Sequence, residues 1–341
     1  MKSNIKYVLL ALSLASCEKV NMDPASPAAG ASAPSATAKD INAAIEEGVS
    51  VQNGRLVFST EDQFVTTMKQ LQEYAGAKLT EWDAQNGITS LNEYYAELNA
   101  EEREDGTVDF LISQEKLLGV PDEKFASILN TDGVFQVGDE IHKINQHEEL
   151  IFPAEREDIL LKGNWDDPDI KHFPIDYKYV AEDGGGKDVG GKIAKQQGQT
   201  ITAQRTGNFY GWYEQHQYTD VNGRTLPKTW NDRDTRLVAV QWNVTYYFYA
   251  SHGVRTKYEY KSRFAGWLWN DASNLAVDGT SSVRRSGSPA FTVGGSSSDT
   301  NSSSTSSNLV WIGGRGVSIS IVSSVSHHST IYKGATARLT L

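Results

Sequence analysis

Val238-Ala239-Val240-Gln241-Trp242-Asn243-Val244-Thr245-Tyr246-Tyr247-Phe248-Tyr249 repeats with a period of two. Val238, Val240, Trp242, Val244, Tyr246 and Phe248 share one face of an extended chain; Gln241, Asn243, Thr245, Tyr247 and Tyr249 share the other. A helix scatters such a pattern around its circumference, so the stretch predicts a long strand. His252-Gly253 is expected to turn the chain. In the strand that follows, Arg255, Lys257, Glu259, Lys261 and Arg263 alternate with Val254, Thr256, Tyr258 and Tyr260.

Further strands are expected around Trp267-Leu268-Trp269, Leu309-Val310-Trp311-Ile312, Val317 to Val325, and Ala335 to Leu341. The stretch from Gly294 to Asn308 is almost all Gly, Ser, Thr and Asn, and predicts an exposed loop. Long alternating strands with one wet face predict an antiparallel β-sandwich domain over residues 206–341.

Upstream the period changes. Asn53-Gly54 signals a turn before the short strand Arg55-Leu56-Val57-Phe58. Thr60 with Gln63 forms a capping box, and Phe64, Met68 and Leu71 recur at helical spacing behind it. Ser90 with Glu93 starts a second helix, and Pro121 to Leu129 a third. Val134 to Ile144 reads as a hairpin turning at Gly138-Asp139. Residues 41–165 are therefore expected to form an α+β domain. Residues 166–205, with Gly184-Gly185-Gly186 and Gly190-Gly191, read as a Gly-rich hinge. The fold class is α+β, an N-terminal α+β domain followed by the antiparallel sandwich.

Charge divides the same way. Residues 40–175 carry 29 acidic and 10 basic side chains, and residues 176–341 carry 12 and 18. So acidic a first half argues against nucleic acid and against an anionic membrane surface as partners.

The first residues speak to location. Lys2 and Lys6 precede the apolar run Tyr7-Val8-Leu9-Leu10-Ala11-Leu12-Ser13-Leu14, which is too short to span a bilayer and reads as a signal peptide, residues 1–16. Leu14-Ala15-Ser16-Cys17 resembles the lipobox of bacterial lipoprotein precursors. That resemblance implies cleavage before Cys17 and its acylation, so the membrane is the partner reached through Cys17. Cys17 is the one cysteine, which excludes disulfides. Residues 17–40, rich in Ala, Pro and Ser, read as a disordered tether.

A wider resemblance rests on Asn53-Gly54-Arg55-Leu56-Val57-Phe58, Trp82 before Gly87-Ile88-Thr89-Ser90-Leu91, and Asp132-Gly133 leading into Val137-Gly138-Asp139-Glu140-Ile141. From roughly residue 45 to 150 the chain is similar to a group of uncharacterised Bacteroidota lipoproteins, with weaker likeness at Phe264 to Trp269. The resemblance implies a lipid-anchored protein of the bacterial outer membrane and implies no activity. Surface-exported lipoproteins of these bacteria tend to carry an acidic cluster directly after the cysteine, whereas Glu18-Lys19-Val20 follows here. The periplasmic and cell-surface sides both stay open.

Chemical motifs are few. Gly186-Lys187-Asp188-Val189-Gly190-Gly191-Lys192 has the spacing of a phosphate loop, but Ile193 stands where Ser or Thr must bind Mg²⁺, so no nucleotide is expected. His142 and His147 are five apart, off the spacing that puts two ligands on one helix face, and His327-His328 point to opposite faces of a strand. No metal site and no cofactor are expected. Asp166-Asp167-Pro168-Asp169 and Asn231-Asp232-Arg233-Asp234 crowd oxygen ligands as calcium loops do, without the EF-hand order. No Gly-x-Ser-x-Gly elbow occurs.

Aromatic residues remain. Trp267 and Trp269 share a strand face, as do Tyr247 and Tyr249, and flat rings in that arrangement stack on sugars or fill a core. These four are the candidate ligand-binding residues. The expected role is a non-enzymatic envelope lipoprotein that binds a glycan or another envelope protein. A carbohydrate-active hydrolase with paired carboxylates is the first alternative, and a structural or adhesive subunit the second.

Overall fold

The computed structural model describes residues 48–100, 120–145, 147–175, 179–181, 208–215, 234–261, 267–285 and 287–341. Cys17, the tether, the Gly186–Lys192 loop and Asn231 to Arg233 lie outside them. The described chain is mostly β-sheet with a few short helices, and most of its strand pairs are antiparallel.

The first sheet has the order β1-β2-β3-β4-β5-β6, comprising β1 Val49–Gln52, β2 Arg55–Phe58, β3 Val134–Val137, β4 Glu140–Ile144, β5 Glu148–Pro153 and β6 Lys171–Pro174. Asn53 and Gly54 close the β1–β2 hairpin with φ of 50° and 73°. Two successive positive φ values match the twist of the flanking strands, which is why Asn-Gly stands there. β3 and β4 turn at Gly138-Asp139 as the sequence predicts, with Val137 opposite Glu140. β2 and β3 are parallel, so the chain between them crosses over.

That crossover carries the helices: α1 Glu61–Gln72, α2 Ala77–Gln85, α3 Leu91–Ala100 and α4 Glu123–Ala126. Thr60 Oγ1 accepts the Gln63 N–H at 3.1 Å, and Ser90 Oγ accepts that of Glu93 at 3.0 Å. Both expected helix starts are therefore real. A fifth helix, α5 Glu157–Lys162, follows β5 and buries Ile159 against Val134, Ile141, Leu150 and Phe152.

The second sheet has the order β11-β10-β9-β8-β7, with β7 Tyr179–Ala181, β8 Asn208–Gln215, β9 Thr235–Thr245, β10 Tyr249–Lys261 and β11 Trp267–Trp269. The third runs β13-β12-β15-β16, with β12 Asn274–Arg285, β13 Phe291–Asp299, β15 Ile319–Tyr332 and β16 Ala335–Thr340. Between β13 and β15 in sequence, β14 Ser304–Gly313 leaves the third sheet and pairs with β10.

Three details differ from the sequence expectation. First, β9 ends at Thr245 and the chain reverses over 246–248, where Tyr246 N–H meets Tyr249 C=O at 2.6 Å. Tyr247 and Tyr249 thus lie on the turn and the next strand, not on one strand face. Instead of a turn, His252-Gly253 lies within β10 at a register shift against β14, whose Leu309 is the extra residue, and the glycine there has a packing reason. Trp242 explains it: a Cβ on Gly253 would sit 2.2 Å from Trp242 Cζ2, so the glycine makes room for the indole.

Second, Gly294 to Asn308 is not a loop. It forms parts of β13 and β14, joined around Asn301. Its small residues answer to crowding, since a Cβ on Gly295 would lie 2.6 Å from Ser307 Oγ.

Third, the second sheet has no wet face at β9 and β10, both of which are buried nearly end to end. Leu237, Ala239 and Tyr258 pack on Leu275, Ala337 and Leu339 of the third sheet. Polar side chains join in: Gln241 hydrogen-bonds Ser324, and Asn243 donates to Ile319 C=O at 3.3 Å. On the other side Arg255 meets Glu123 of α4 at 3.4 Å, and Glu259 pairs with Arg236. Among the buried charges of β9 and β10, Arg255, Arg236 and Glu259 have an opposite charge beside them, as burial requires, and Lys257 lies over the Trp269 ring.

An aromatic chain joins the first sheet to the second. Phe64 packs on Phe135 and Phe248, while Phe125 stacks on Tyr246 at 4.4 Å and on Tyr249 at 4.9 Å. The described residues, from Gly48 to Leu341, belong to one compact unit.

Candidate functional site

β10 is longer than any one neighbour can pair. Its first part, Tyr249 to Lys257, pairs with β14; its last part, Glu259 to Lys261, pairs with β11. At the junction Tyr258 bridges the two, donating to Ser303 C=O and accepting from Asn270 N–H, both at 2.9 Å. Over this seam lies a cleft of about 270 Å³. Its floor is Trp269 with Ser302 to Ser306, its walls are Gly76 to Ala84 around α2, Asn92 and Glu93 of α3, and Glu123 and Lys124 of α4, and Ser297 and Asp299 close one side.

Each wall is positioned by a cap or a turn. Gly76, with φ of 50°, lets the chain enter α2 beside Asp299. Asp83, at the far end of α2, is 3% exposed and accepts from Ser90 Oγ at 2.9 Å and Asn92 Nδ2 at 2.8 Å. Asp122 caps α4, taking Lys124 N–H at 3.0 Å, and its other oxygen accepts the Tyr249 hydroxyl at 2.7 Å. Glu123, the next residue, accepts from Ser304 Oγ at 3.0 Å and Ser306 Oγ at 2.8 Å, which fixes α4 to β14.

The charges of the cleft are set apart by their surroundings. Burial raises the Asp83 carboxyl to about 6 against the help of Asn92, Ser90 and Ser127. Burial pushes Glu123 the same way, but Arg255, Lys124 and the two serine hydroxyls outweigh it and leave it below the usual range. Lys124 is 7% exposed, and burial lowers its ammonium although Glu123, Asp122, Asp83 and Asp299 pull the other way. An indole floor with hydroxyls, an amide, carboxylates and an amine suits a small, polar, hydroxyl-bearing ligand. The volume lies just below the about 300–1,000 Å³ typical of small-molecule sites, so the ligand it suits is small.

Of the four aromatic candidates the structure brings Trp269 alone to this cleft. Lys257 Nζ lies 5.2 Å from its ring centroid, and its indole Nε1 is buried without a hydrogen-bond partner among the described residues. Trp267 carries the Arg236 guanidinium at 4.6 Å. Tyr249 is fully buried, between Phe125 and Trp311. Tyr247 is half-buried, sits under the Arg315 guanidinium at 5.0 Å, and gives its backbone N–H to Glu149 at 2.6 Å.

Asp83, Glu93, Glu123, Lys124 and Asp299 were not site candidates at the level of sequence, where Glu93 appears only as part of a helix start. They come from four separate segments, so no local spacing announces them. The nearest signal is Asp122-Glu123-Lys124, three charges in a row directly before the core residue Phe125.

Among the described residues no cluster of three or more His, Cys, Asp or Glu side chains is placed to hold a metal. At Asp166-Asp167-Pro168-Asp169 the Arg156 guanidinium pairs with Asp167 and Asp169. Among the described residues no helix is long and apolar enough to cross a membrane.

No family model matches the chain, and no curated protein matches it. Among solved structures, a DUF4848 family protein from Bacteroides thetaiotaomicron aligns at 8% identity, over 86% of this chain and 98% of that one, with a TM-score of 0.22. At that TM-score the neighbour, a member of an uncharacterised Bacteroidota family, carries no argument about this fold.

Proposed function

We propose that this protein is an outer-membrane lipoprotein, anchored through Cys17, that holds a neutral carbohydrate in the cleft beside Trp269. The two facing sheets, β9–β10 with β14 and β12–β15 with their neighbours, then act as a β-sandwich, and the helices of the acidic α+β part close the cleft over its seam. One observation carries the reading: a single concavity gathers an indole, five consecutive Ser or Thr residues, an amide and carboxylates. Sugar hydroxyls both donate and accept, and this mixture offers partners for each. An acidic rim disfavours an anionic ligand.

A second reading has its own support. Asp83 is held near 6 while Glu123 is held low, and a carboxyl pair pushed apart is how an acid and a base are assigned in glycoside hydrolysis. Both carboxylates are already hydrogen-bonded to the protein, which favours binding over turnover.

Calorimetry with neutral oligosaccharides tests the proposal. Binding should appear, and Trp269→Ala should weaken it about fivefold, the loss of about 1 kcal/mol of ring contact. Release of free sugar by the wild type, abolished in Glu123→Gln, would favour the hydrolase instead.

A further inference from the structure

Lys124 is the cleft's anomaly. It is 7% exposed, yet among the described residues its Nζ donates no hydrogen bond and forms no ion pair. Arg255 and Arg236, equally buried, each have a carboxylate. Its side chain is largely covered and lines the cleft, so an ammonium without a contact partner is left facing that space, where it is relieved either by a ligand or by losing its proton.

We propose that Lys124 is a carbonyl-reactive amine, which condenses reversibly with the aldehyde or ketone group of a small molecule entering the cleft. The amine lone pair attacks the carbonyl carbon, and the C=O π pair moves to oxygen, which takes up a proton. The nitrogen gives one up, leaving a neutral carbinolamine. A proton from Asp83, which lines the same cleft, then lets the hydroxyl leave as water while the nitrogen lone pair closes the C=N⁺ bond. Amine, carbonyl compound and one proton thus yield a protonated imine and water, with no oxidant or reductant required.

Three features of the site suit this step. Burial shifts Lys124 toward the free amine, the reactive form. Asp83, held near 6, is a proton donor that works close to neutrality. The carboxylates of Glu123 and Asp299, which act on Lys124 through space, offset the positive charge of the imine. The proposal is independent of the carbohydrate reading, since it needs only a carbonyl group and the cleft.

Reductive trapping tests it on the full chain. The protein is treated at pH 7 with glycolaldehyde and cyanoborohydride, and modified lysines are located by peptide mass mapping. Lys124 should be converted severalfold faster than the exposed Lys69 and Lys162, because burial shifts its ammonium toward the free amine. That lead should shrink as the pH is raised toward 10. Lys124→Met should lose the fast phase and keep the slow one. Should that variant fail to fold, the wild-type map decides alone. Labelled Lys69 and Lys162 beside an untouched Lys124 would overturn the proposal, and would leave sugar binding measured by calorimetry unaffected.

Discussion

His252 shows how much one buried side chain can set. Its Nδ1 lies 2.6 Å from Trp242 C=O and its Nε2 2.7 Å from Ser281 Oγ, inside the contact between the second and third sheets. Burial lowers it to about 4, against 6.5 when unfolded. The unfolded chain therefore takes up the proton first as pH falls. Stability is complete above about 6.5 and is lost toward pH 4, by about 3 kcal/mol for a shift of this size. Urea midpoints between pH 7 and 4 should fall less steeply in His252→Gln than in the wild type. Asp83 acts in the opposite sense. Its folded value is raised, so its contribution is present at acid pH and is lost as pH rises through about 6. Carbon-detected NMR of the Asp83 carboxyl should give a midpoint near 6; a midpoint near 4 would show the carboxyl to be solvated. Neither shift is visible in sequence, because each depends on neighbours brought from distant segments.

Elements were legible where a local rule governs them. The caps at Thr60 and Ser90 and the Gly138-Asp139 hairpin follow from nearest neighbours, and the structure has them. The long strands follow from period two. What period two cannot show is which face is covered: Gln241 and Asn243 read as solvent-facing, yet they hydrogen-bond to Ser324 and to the Ile319 carbonyl across the gap between sheets. Composition misleads in the same way at Gly294 to Asn308, where small residues mark close approach. Gly253 is the sharpest case. Any side chain there collides with Trp242 Cζ2 and with Ser307 C=O, 2.7 Å from the would-be Cβ. Gly253→Ala should cost about 3 kcal/mol, at the upper end of overpacking effects, read as a lowered urea midpoint at unchanged slope. Gly287→Ala, with nothing within 4 Å but φ of 74°, should cost about 1 kcal/mol from backbone strain.

The whole molecule turns on contacts between distant parts. Asp122 ties the cap of α4 to Tyr249 on β10 and, through Asn308 at 3.2 Å, to β14. Phe64 and Phe125 share their aromatic contacts between the first sheet and the turn after β9. Those ties form the cleft, and they explain why sequence could name Trp269 but not the charges around it. They also predict that residues 38–341 unfold in a single calorimetric transition; two separated transitions would mean that the parts are stable alone. The proposed sugar site is the seam between β11 and β14. Crystals grown with maltotriose, cellotriose or chitotriose test it most directly. One of these sugars should lie against Trp269 with hydroxyls within hydrogen-bond reach of Lys124 or Asp299. A sugar bound elsewhere on the surface, with this cleft holding only solvent under saturating conditions, would contradict it.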